Sequence, residues 1–158
     1  MSKLVEILIA RSPSSPMEPQ PRARAVPGRG LEGDRYFDGR GTFSPDPRKP
    51  DFELTQIERH HVEAFAAASG LLFTTHHARR NLVVEGVSLN ELVGREFFVG
   101  PVRIRGVRLC EPCNYLAQTT YPEVLRGLVH KGGLRAQILA EGIIQVGDPI
   151  VPVNSTSE

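Results

Sequence analysis

Prolines and glycines divide this chain into short pieces and so limit the folds open to it. Thirteen prolines and fifteen glycines are spread over 158 residues. Both residue types are unfavourable inside helices, and proline also removes a hydrogen-bond donor from a strand ladder. The apolar segments between them are mostly of strand length. The sequence therefore predicts a mainly β fold, built as a barrel or sandwich of short strands.

The first strand is predicted over residues 3–10 (KLVEILIA), where apolar residues dominate. Residues 11–30 are too rich in proline for regular structure, and residues 36–51 form a second long segment of loop character. Long loops in a small domain commonly shape or cover a functional site. We therefore expect both loops to lie near the site.

One longer helix is predicted over residues 55–69. Thr55 and Glu58 have the spacing of a capping box, in which each side chain binds a free backbone amide of the first turn. Apolar and small residues then recur at helical spacing, and Gly70 is placed to end the helix. Shorter helical segments are predicted within residues 88–94 and 121–133.

A hairpin is predicted over residues 95–109 (REFFVGPVRIRGVRL), with its turn at Gly100-Pro101. Apolar residues alternate with arginines along the second strand until Gly106, where the alternation shifts by one residue. Such a shift predicts a β-bulge, a feature often found beside functional sites. Further strands are predicted at 81–87 and within 134–153, the latter with a turn at Gly147-Asp148.

The overall composition excludes several classes of protein. Hydrophobic residues make up 40%, charged residues 23%, and the net charge is +1. Such a small charge gives no reason to expect a nucleic-acid or membrane partner, and no apolar run approaches the roughly 18 residues of a membrane span. We see no secretory signal, so a cytoplasmic location with reduced thiols is expected. We expect one domain over residues 1–153 and a disordered tail at 154–158.

The two cysteines of the chain lie together in RLCEPCNYL, residues 108–116. Cys110 and Cys113 have the spacing of half a zinc site. The histidines show no H-x₃₋₅-H pattern, and the adjacent pairs at 60–61 and 76–77 are expected to point in different directions, so no zinc is expected. A redox dithiol would need a βαβ fold that the pattern does not show. A single working thiol at Cys113, favoured as a thiolate by the three arginines of the preceding strand, and two buried thiols without chemistry both remain open.

Arginine carries most of the positive charge, with 16 arginines against three lysines. A guanidinium group offers a planar set of donors suited to phosphate and carboxylate oxygens. Three segments present arginine beside glycine or at a strand start: GRGLEGDRYF (28–37) with Arg35, RRN (79–81) with Arg80 and Asn81, and KGGLRA (131–136) with Arg135. Anion binding, ordinary turns and a codon bias toward arginine all account for this pattern.

Six segments, in this order, resemble the MOSC domain family, named for the C-terminal domain of molybdenum-cofactor sulfurases. They are GRGLEGDRYF, LTQIE, RRNLVVEGVSLNELVG, EFFVGPVRIRGVRLCEPC, KGGLRAQILAEG and VGDPI, and they span residues 27–151. The resemblance implies a mostly antiparallel β-barrel of the pyruvate-kinase-barrel type with a few short helices. No Ser-His-Asp, H-E-x-x-H or paired-carboxylate arrangement is present, so chemistry would depend on a cofactor or on a cysteine-borne group.

The resemblance further implies a functional cysteine that ligates the molybdenum of a bound pterin cofactor or carries sulfur as a persulfide. Cys113 is at the matching position, and Cys110 is a helper or a bystander. The positions that match holders of the pterin phosphate are those already named in the three arginine segments, namely Arg35, Arg80, Asn81 and Arg135.

Three functions follow as alternatives, and whether the protein is an enzyme stays open. A carrier would take sulfur from a pyridoxal-phosphate-linked cysteine desulfurase and deliver it to cofactor or metal–sulfur cluster assembly. A molybdenum-dependent reductase would act on N-hydroxylated compounds with electrons from a partner protein. A binding domain would merely bury both thiols.

Overall fold

The computed structural model describes residues 1–39 and 49–153, and these form eleven strands and four α-helices. The strands are β1 Lys3–Ile9, β2 Glu18–Gln20, β3 Arg22–Val26, β4 Gly30–Leu31, β5 Leu54–Glu58, β6 Leu82–Glu85, β7 Glu96–Val99, β8 Val102–Leu109, β9 Leu134–Ile138, β10 Gly142–Gln145 and β11 Ile150–Pro152. The helices are α1 Arg59–Ser69, α2 Thr75–Ala78, α3 Asn114–Thr119 and α4 Val124–Gly127, with 3₁₀ turns at Pro50–Phe52 and Leu89–Leu92.

Eight strands form one sheet in the order β11-β7-β8-β9-β5-β6-β1-β2, and β10-β3-β4 form a second. The pairings are antiparallel except for β5 with β6, which run parallel. Backbone bonds also join the chain at β11 to the chain at β1, the last strand but one at the other end of the large sheet: Ile150 N–H donates to Ser2 O at 3.1 Å and Leu4 N–H to Asp148 O at 2.9 Å. The sheet therefore curls on itself, and the predicted mostly antiparallel barrel with few short helices is confirmed.

The curled sheet separates two hydrophobic cores. The first fills the barrel interior, with Leu4, Phe97 and Ile104 fully buried among its residues. The second lies between the outer face of the sheet and the helices, and includes Val62 and Phe65 of α1. Because side chains alternate across a strand, the strands that lie under the helices, β1, β5 and β6, supply residues to both cores. This explains why β5 is buried along its whole length.

The predicted hairpin and bulge are confirmed. Strands β7 and β8 pair from Glu96↔Arg105 to Val99↔Val102, with the turn at Gly100-Pro101. The register of β8 against β9 shifts between Gly106 and Arg108, at the residue where the alternation slips. The bulge lies four residues before Cys110, at the end of β8 that leads to both cysteines.

We predict that Gly106→Ala destabilises the fold by roughly 2–4 kcal/mol, because overpacking against backbone cannot relax cheaply. A Cβ at this position would lie 2.1 Å from the carbonyl oxygen of Leu92. Gly94→Ala is the control: its φ is +76° but no atom lies within 4 Å of the added Cβ, so only backbone strain of about 1 kcal/mol is expected. Urea unfolding measures both, and equal losses in the two variants would contradict the steric argument.

The predicted start of the long helix was wrong. Residues Leu54–Glu58 form β5, and α1 begins only at Arg59, so the expected capping box does not form. The predicted end was correct, because Gly70 adopts φ 71° and its N–H donates to Ala66 O. With β5 in place, β5, α1 and β6 form a parallel βαβ unit that the sequence pattern did not show.

The proline-rich segment was also assigned wrongly, since residues 11–30 contain β2, β3 and the start of β4. Within residues 121–133 only Val124–Gly127 is an α-helix, and the helix α3 directly after Cys113 was not predicted. Most of the predicted 36–51 loop and the 154–158 tail lie outside the described residues. Among the helices that are described, none combines the length and the apolar character needed to span a membrane.

Candidate functional site

The loop between β8 and α3 places the two thiols. Cys110 is buried, and its N–H donates to Gly133 O at 2.7 Å, which extends the β8–β9 pairing by one bond. Pro112 and an extended backbone at Cys113 then direct the chain into α3. Cys113 is partly exposed, and both cysteines are free. The more accessible thiol is therefore Cys113.

Both cysteines line a small cavity of about 40 Å³, which we call the cysteine cavity. Its walls also carry four arginines from three different parts of the chain: Arg35 after β4, Arg79 and Arg80 between α2 and β6, and Arg135 in β9. The structure thus brings together five of the six residues selected from the sequence. The remaining lining residues are Tyr36, Thr55, Glu111, Tyr115 and Leu116.

Arg80 is a buried cation whose hydrogen bonds go to backbone carbonyls. It is 8% exposed and donates from Nε to Gly132 O, from Nη1 to Ala78 O and from Nη2 to Cys110 O, at 2.9–3.1 Å. No carboxylate lies within ion-pair distance of it among the described residues. A buried charge without a counter-charge is costly, so this position favours an anion in the adjoining cavity.

Arg135 has a buried hydrogen-bond donor without a partner. Its Nη1 reaches Asp51 O only at 3.5 Å, its guanidinium lies 4.8 Å from the centre of the Phe52 ring, and its Nε is buried without a hydrogen-bond partner. An unsatisfied buried donor is uncommon in native proteins and calls for an explanation such as a ligand. Arg135 is therefore the side chain of the cavity best prepared to accept an anion.

Arg35 and Arg79 add further positive charge. Arg35 pairs with the buried carboxylate of Asp34 at 3.0 Å, whereas Arg79 donates to Ser15 O at 2.8 Å and Pro13 O at 2.9 Å. Burial, and then the charge of Arg35, lower the pKa of Arg79 from its ordinary value. Arg79 also has φ 59°, an unusual conformation for a residue other than glycine and one that is enriched at functional sites.

The carboxylates near the cavity do not cancel this charge. Asp34 is bound by Arg35 and by two backbone amides. The oxygens of Glu111 bind His130, one at 2.7 Å from its backbone nitrogen and the other at 2.6 Å from Nδ1. Asp34 offsets the charge of Arg35, whereas Arg79, Arg80 and Arg135 have no ion-pair partner among the described residues, so the cavity keeps a positive charge that favours an anion.

Asn81 was selected from the sequence as a neutral donor, but it lies outside the cavity lining. Its Oδ1 accepts from Thr55 N–H at 3.2 Å, and its Nδ2 donates to Leu8 O at 3.1 Å. The amide thus ties three neighbouring strands, β5, β6 and β1, together. The hydrogen bonds of Asn81 therefore support the sheet.

The arginines expected to stabilise a thiolate are placed elsewhere. Arg103 and Arg105 bind Glu96, and Arg108 binds Asp51 at 2.7 Å, all on partly exposed faces of the barrel. None of the three lines the cysteine cavity. The expectation that they stabilise the thiolate was wrong, because along β8 the arginines alternate with buried residues of the barrel interior and so lie on the outer face.

A larger cavity of about 400 Å³ adjoins the first and shares Arg79 and Tyr115 with it. Its other walls come from the proline-rich segment, α2 and α3, and include Met17, His76 and His77. No histidine lines the cysteine cavity itself in the part of the chain that is described. A zinc site combining histidines with the two cysteines is therefore not assembled.

Several wall residues escaped the sequence reasoning. The sequence pattern predicts Thr55 as a helix cap and favours Arg80 over Arg79 as a binding residue. It does not single out Tyr36, Glu111 or Tyr115. Four of these five lie within two residues of a selected one. Proximity along the chain to Arg35, Arg80 or Cys113 was the only signal that could have identified them.

Comparison with known proteins assigns this chain to a family. The profile of the MOSC domain matches residues 39–151. No curated protein matches the chain.

Solved structures share the fold at low sequence identity. The YuaD protein from Bacillus subtilis is 18% identical, with a TM-score of 0.76 over 95% of this chain and 94% of that one. YiiM from Geobacillus stearothermophilus is 17% identical, with a TM-score of 0.75 over 98% of this chain and 76% of that one. YiiM from Escherichia coli is 18% identical, with a TM-score of 0.69 over 100% of this chain and 72% of that one.

Proposed function

The chain belongs to the MOSC domain family, which is associated with molybdenum-cofactor binding and with sulfur chemistry, and we propose that it handles molybdenum cofactor through Cys113. The observation that carries the proposal is the cysteine cavity, where a partly exposed thiol adjoins arginines that lack a counter-charge. Thiolate sulfur is a soft ligand suited to such a metal. Guanidinium groups bind phosphate, the anionic part of the pterin cofactor.

The donor set fits this group. Arg80, which has no carboxylate partner among the described residues, and Arg135, with its buried unpartnered Nε, are the residues that would hold the phosphate. Arg79 and Arg35 add positive charge to the same walls. The cysteine cavity, about 40 Å³, is no larger than one or two water molecules at roughly 30 Å³ each. The adjoining cavity of about 400 Å³ supplies the remaining volume.

Within this site each residue has a separate task. Cys113 presents its sulfur to the cavity from the start of α3, while Cys110 is held under Arg80 through its carbonyl oxygen. Tyr115 is fixed by donating from its hydroxyl to Pro13 O at 3.1 Å, and so forms a wall between the two cavities. When bound, the cofactor supplies two-electron redox chemistry, and an N-hydroxylated compound is the substrate class that we propose for the enzyme.

The partial exposure of Cys113 favours sulfur transfer as a second candidate. In this case its thiolate attacks the outer sulfur of a persulfide on the donor, and the donor's thiolate leaves. We propose a pyridoxal-phosphate-linked cysteine desulfurase as that donor, and an electron-donor protein as the partner of the enzyme. Sulfur transfer requires an accessible thiol, and the partly exposed Cys113 meets that requirement.

The test is the composition of the protein purified from a host that makes the cofactor. Cofactor binding predicts close to one molybdenum per chain together with pterin fluorescence after denaturation. Sulfur transfer predicts no metal but a mass increase of about 32 Da that a thiol reductant removes. Folded protein that shows neither signal would overturn both candidates.

We predict that Arg135→Gln lowers pterin retention about 10-fold or more, since a charge-assisted hydrogen bond contributes roughly 1.5–3 kcal/mol. Arg108→Gln is the matched control: Arg108 lies directly opposite Arg135 across β8 and β9 and also stacks near Phe52, but it faces solvent. Desalting followed by pterin fluorescence measures retention. Equal losses in the two variants would argue against a phosphate site at Arg135.

A further inference from the structure

A cluster of two histidines and one glutamate lies outside the cysteine cavity, where β5 meets α1. The Nδ1 of His60 lies 3.6 Å from Oε1 of Glu58, and the Nδ1 of His61 lies 3.7 Å from Oε2. One ligand atom from each residue falls within 4.8 Å of the other two. We propose that Glu58, His60 and His61 form a binding site for a divalent transition metal of the zinc class.

The distances favour a metal over a direct hydrogen bond. Separations of 3.6 and 3.7 Å exceed the 2.7–3.2 Å of a normal hydrogen bond. In a tetrahedral zinc site, metal–ligand distances of about 2.0–2.2 Å place neighbouring donor atoms roughly 3.4 Å apart. The two spacings to the Glu58 carboxylate are therefore close to those of a metal-bound set, and all three donor atoms lie within 4.8 Å of one another.

The fold holds the donors in place. Glu58 is the last residue of β5, only 5% exposed, and its Oε2 accepts from Leu89 N–H at 3.2 Å. An outer partner that orients a ligating imidazole or carboxylate is the usual arrangement around protein-bound metals.

The two adjacent histidines converge on one carboxylate. Their ring centres are 4.2 Å apart, and both present Nδ1 to the same carboxylate. The sequence expectation that neighbouring histidines point in different directions therefore does not hold for this pair. Both histidines lie in the first turn of α1, directly after Glu58, and the Nδ1 atoms of both rings approach the carboxylate of that residue.

Access is open on the solvent side. Glu58, His60 and His61 line a surface cavity of about 620 Å³ together with His130 and Lys131. The ammonium of Lys131 opposes a cation there, and the carboxylate of Glu58 offsets it. This cavity shares no lining residue with the cysteine cavity, so the metal site stands independently of the proposed molybdenum chemistry.

The test uses untagged full-length protein titrated with Co²⁺ and Zn²⁺. We expect one equivalent of Co²⁺ to give visible d–d absorption without the near-ultraviolet band of thiolate ligation, and calorimetry to show the same stoichiometry for Zn²⁺. Changing both histidines, His60→Ala with His61→Ala, is expected to weaken Zn²⁺ binding by more than about 100-fold, because loss of a single outer partner of a ligand already costs roughly 10–100-fold. His60 is exposed and His61 half-buried, so the fold tolerates this change.

The matched control is the other adjacent pair, His76→Ala with His77→Ala, where His76 also lies 3.5 Å from a carboxylate, that of Glu6. It is expected to alter Zn²⁺ affinity by less than about twofold. Glu58→Gln, which keeps an acceptor for Leu89 N–H, is expected to weaken binding about 10-fold. Thiolate bands in the Co²⁺ spectrum, no binding, or equal losses in both histidine pairs would overturn the proposal.

Discussion

If the protein binds the cofactor, Cys113→Ser is expected to reduce bound molybdenum from near one per chain to background. If it carries sulfur, the same change is expected to abolish the mass increase of about 32 Da that the additional sulfur atom of a persulfide gives. A serine hydroxyl is neither a soft metal ligand nor able to form a persulfide. Because Cys113 is partly exposed, the change removes the reactive sulfur with little loss of packing. Elemental analysis and intact mass measure both losses.

Cys110→Ser is the matched control for this result. Its side chain is buried, while its backbone N–H and carbonyl make the bonds to Gly133 and Arg80. We expect molybdenum or sulfur to be retained, with a stability loss of about 1–3 kcal/mol for placing a hydroxyl in an apolar position. If Cys110→Ser removed the signal and Cys113→Ser kept it, the assignment of the working thiol would be reversed.

Local patterns in the sequence were sufficient to predict the β-rich architecture and the approach to the site. The hairpin turning at Gly100-Pro101 and the bulge at Gly106 both follow from alternation over a few residues. Each of these features depends on contacts between neighbours in sequence, which a pattern of apolar and polar residues records. The barrel itself and the expectation that Cys113 is a functional thiol came from a resemblance that covers residues 27–151.

The strand at Leu54–Glu58 shows where local patterns fail. Thr55 and Glu58 satisfy the spacing of a capping box, but Thr55 instead binds Asn81 and Glu58 accepts from Leu89, across 26 and 31 residues. Burial on both faces removes the alternation by which a strand is recognised. Tertiary pairing with β6 and β9 thus overrides the local signal.

The candidate site was predictable only in part for the same reason. Arg35, Arg80 and Arg135 were each ambiguous in sequence, since turns and solvent-facing positions also accept arginine. Their convergence on Cys113 depends on the order of strands in the sheet, and no short segment encodes that order. The site is therefore a product of the topology more than of any one motif.

Asp34→Ala is expected to be among the most destabilising single changes in the chain, by about 3–5 kcal/mol. Asp34 is 1% exposed, and its oxygens accept from Ala10 N–H at 3.0 Å, Tyr36 N–H at 3.2 Å and the Arg35 guanidinium at 3.0 Å. Removing it leaves two amides without their acceptor and a buried cation without its counter-charge. Urea unfolding of the variant measures the loss.

The contribution of charge can be separated from that of the amides by a double-mutant cycle. Arg35→Met removes the cation, so in the Asp34→Ala background it should cost less than it does alone, or even restore stability, with a coupling energy of roughly 1–3 kcal/mol. Breaking the exposed Arg11–Glu18 pair, 3.3 Å apart, by Glu18→Gln is the surface control and should cost less than about 0.5 kcal/mol. Strictly additive losses at positions 34 and 35 would show that Asp34 acts through the backbone amides alone. The coupling energy therefore measures how strongly Asp34 binds the charge of Arg35. A strong coupling means that Asp34 already neutralises Arg35, and a weak coupling means that Arg35 keeps its charge for an anion bound in the cysteine cavity.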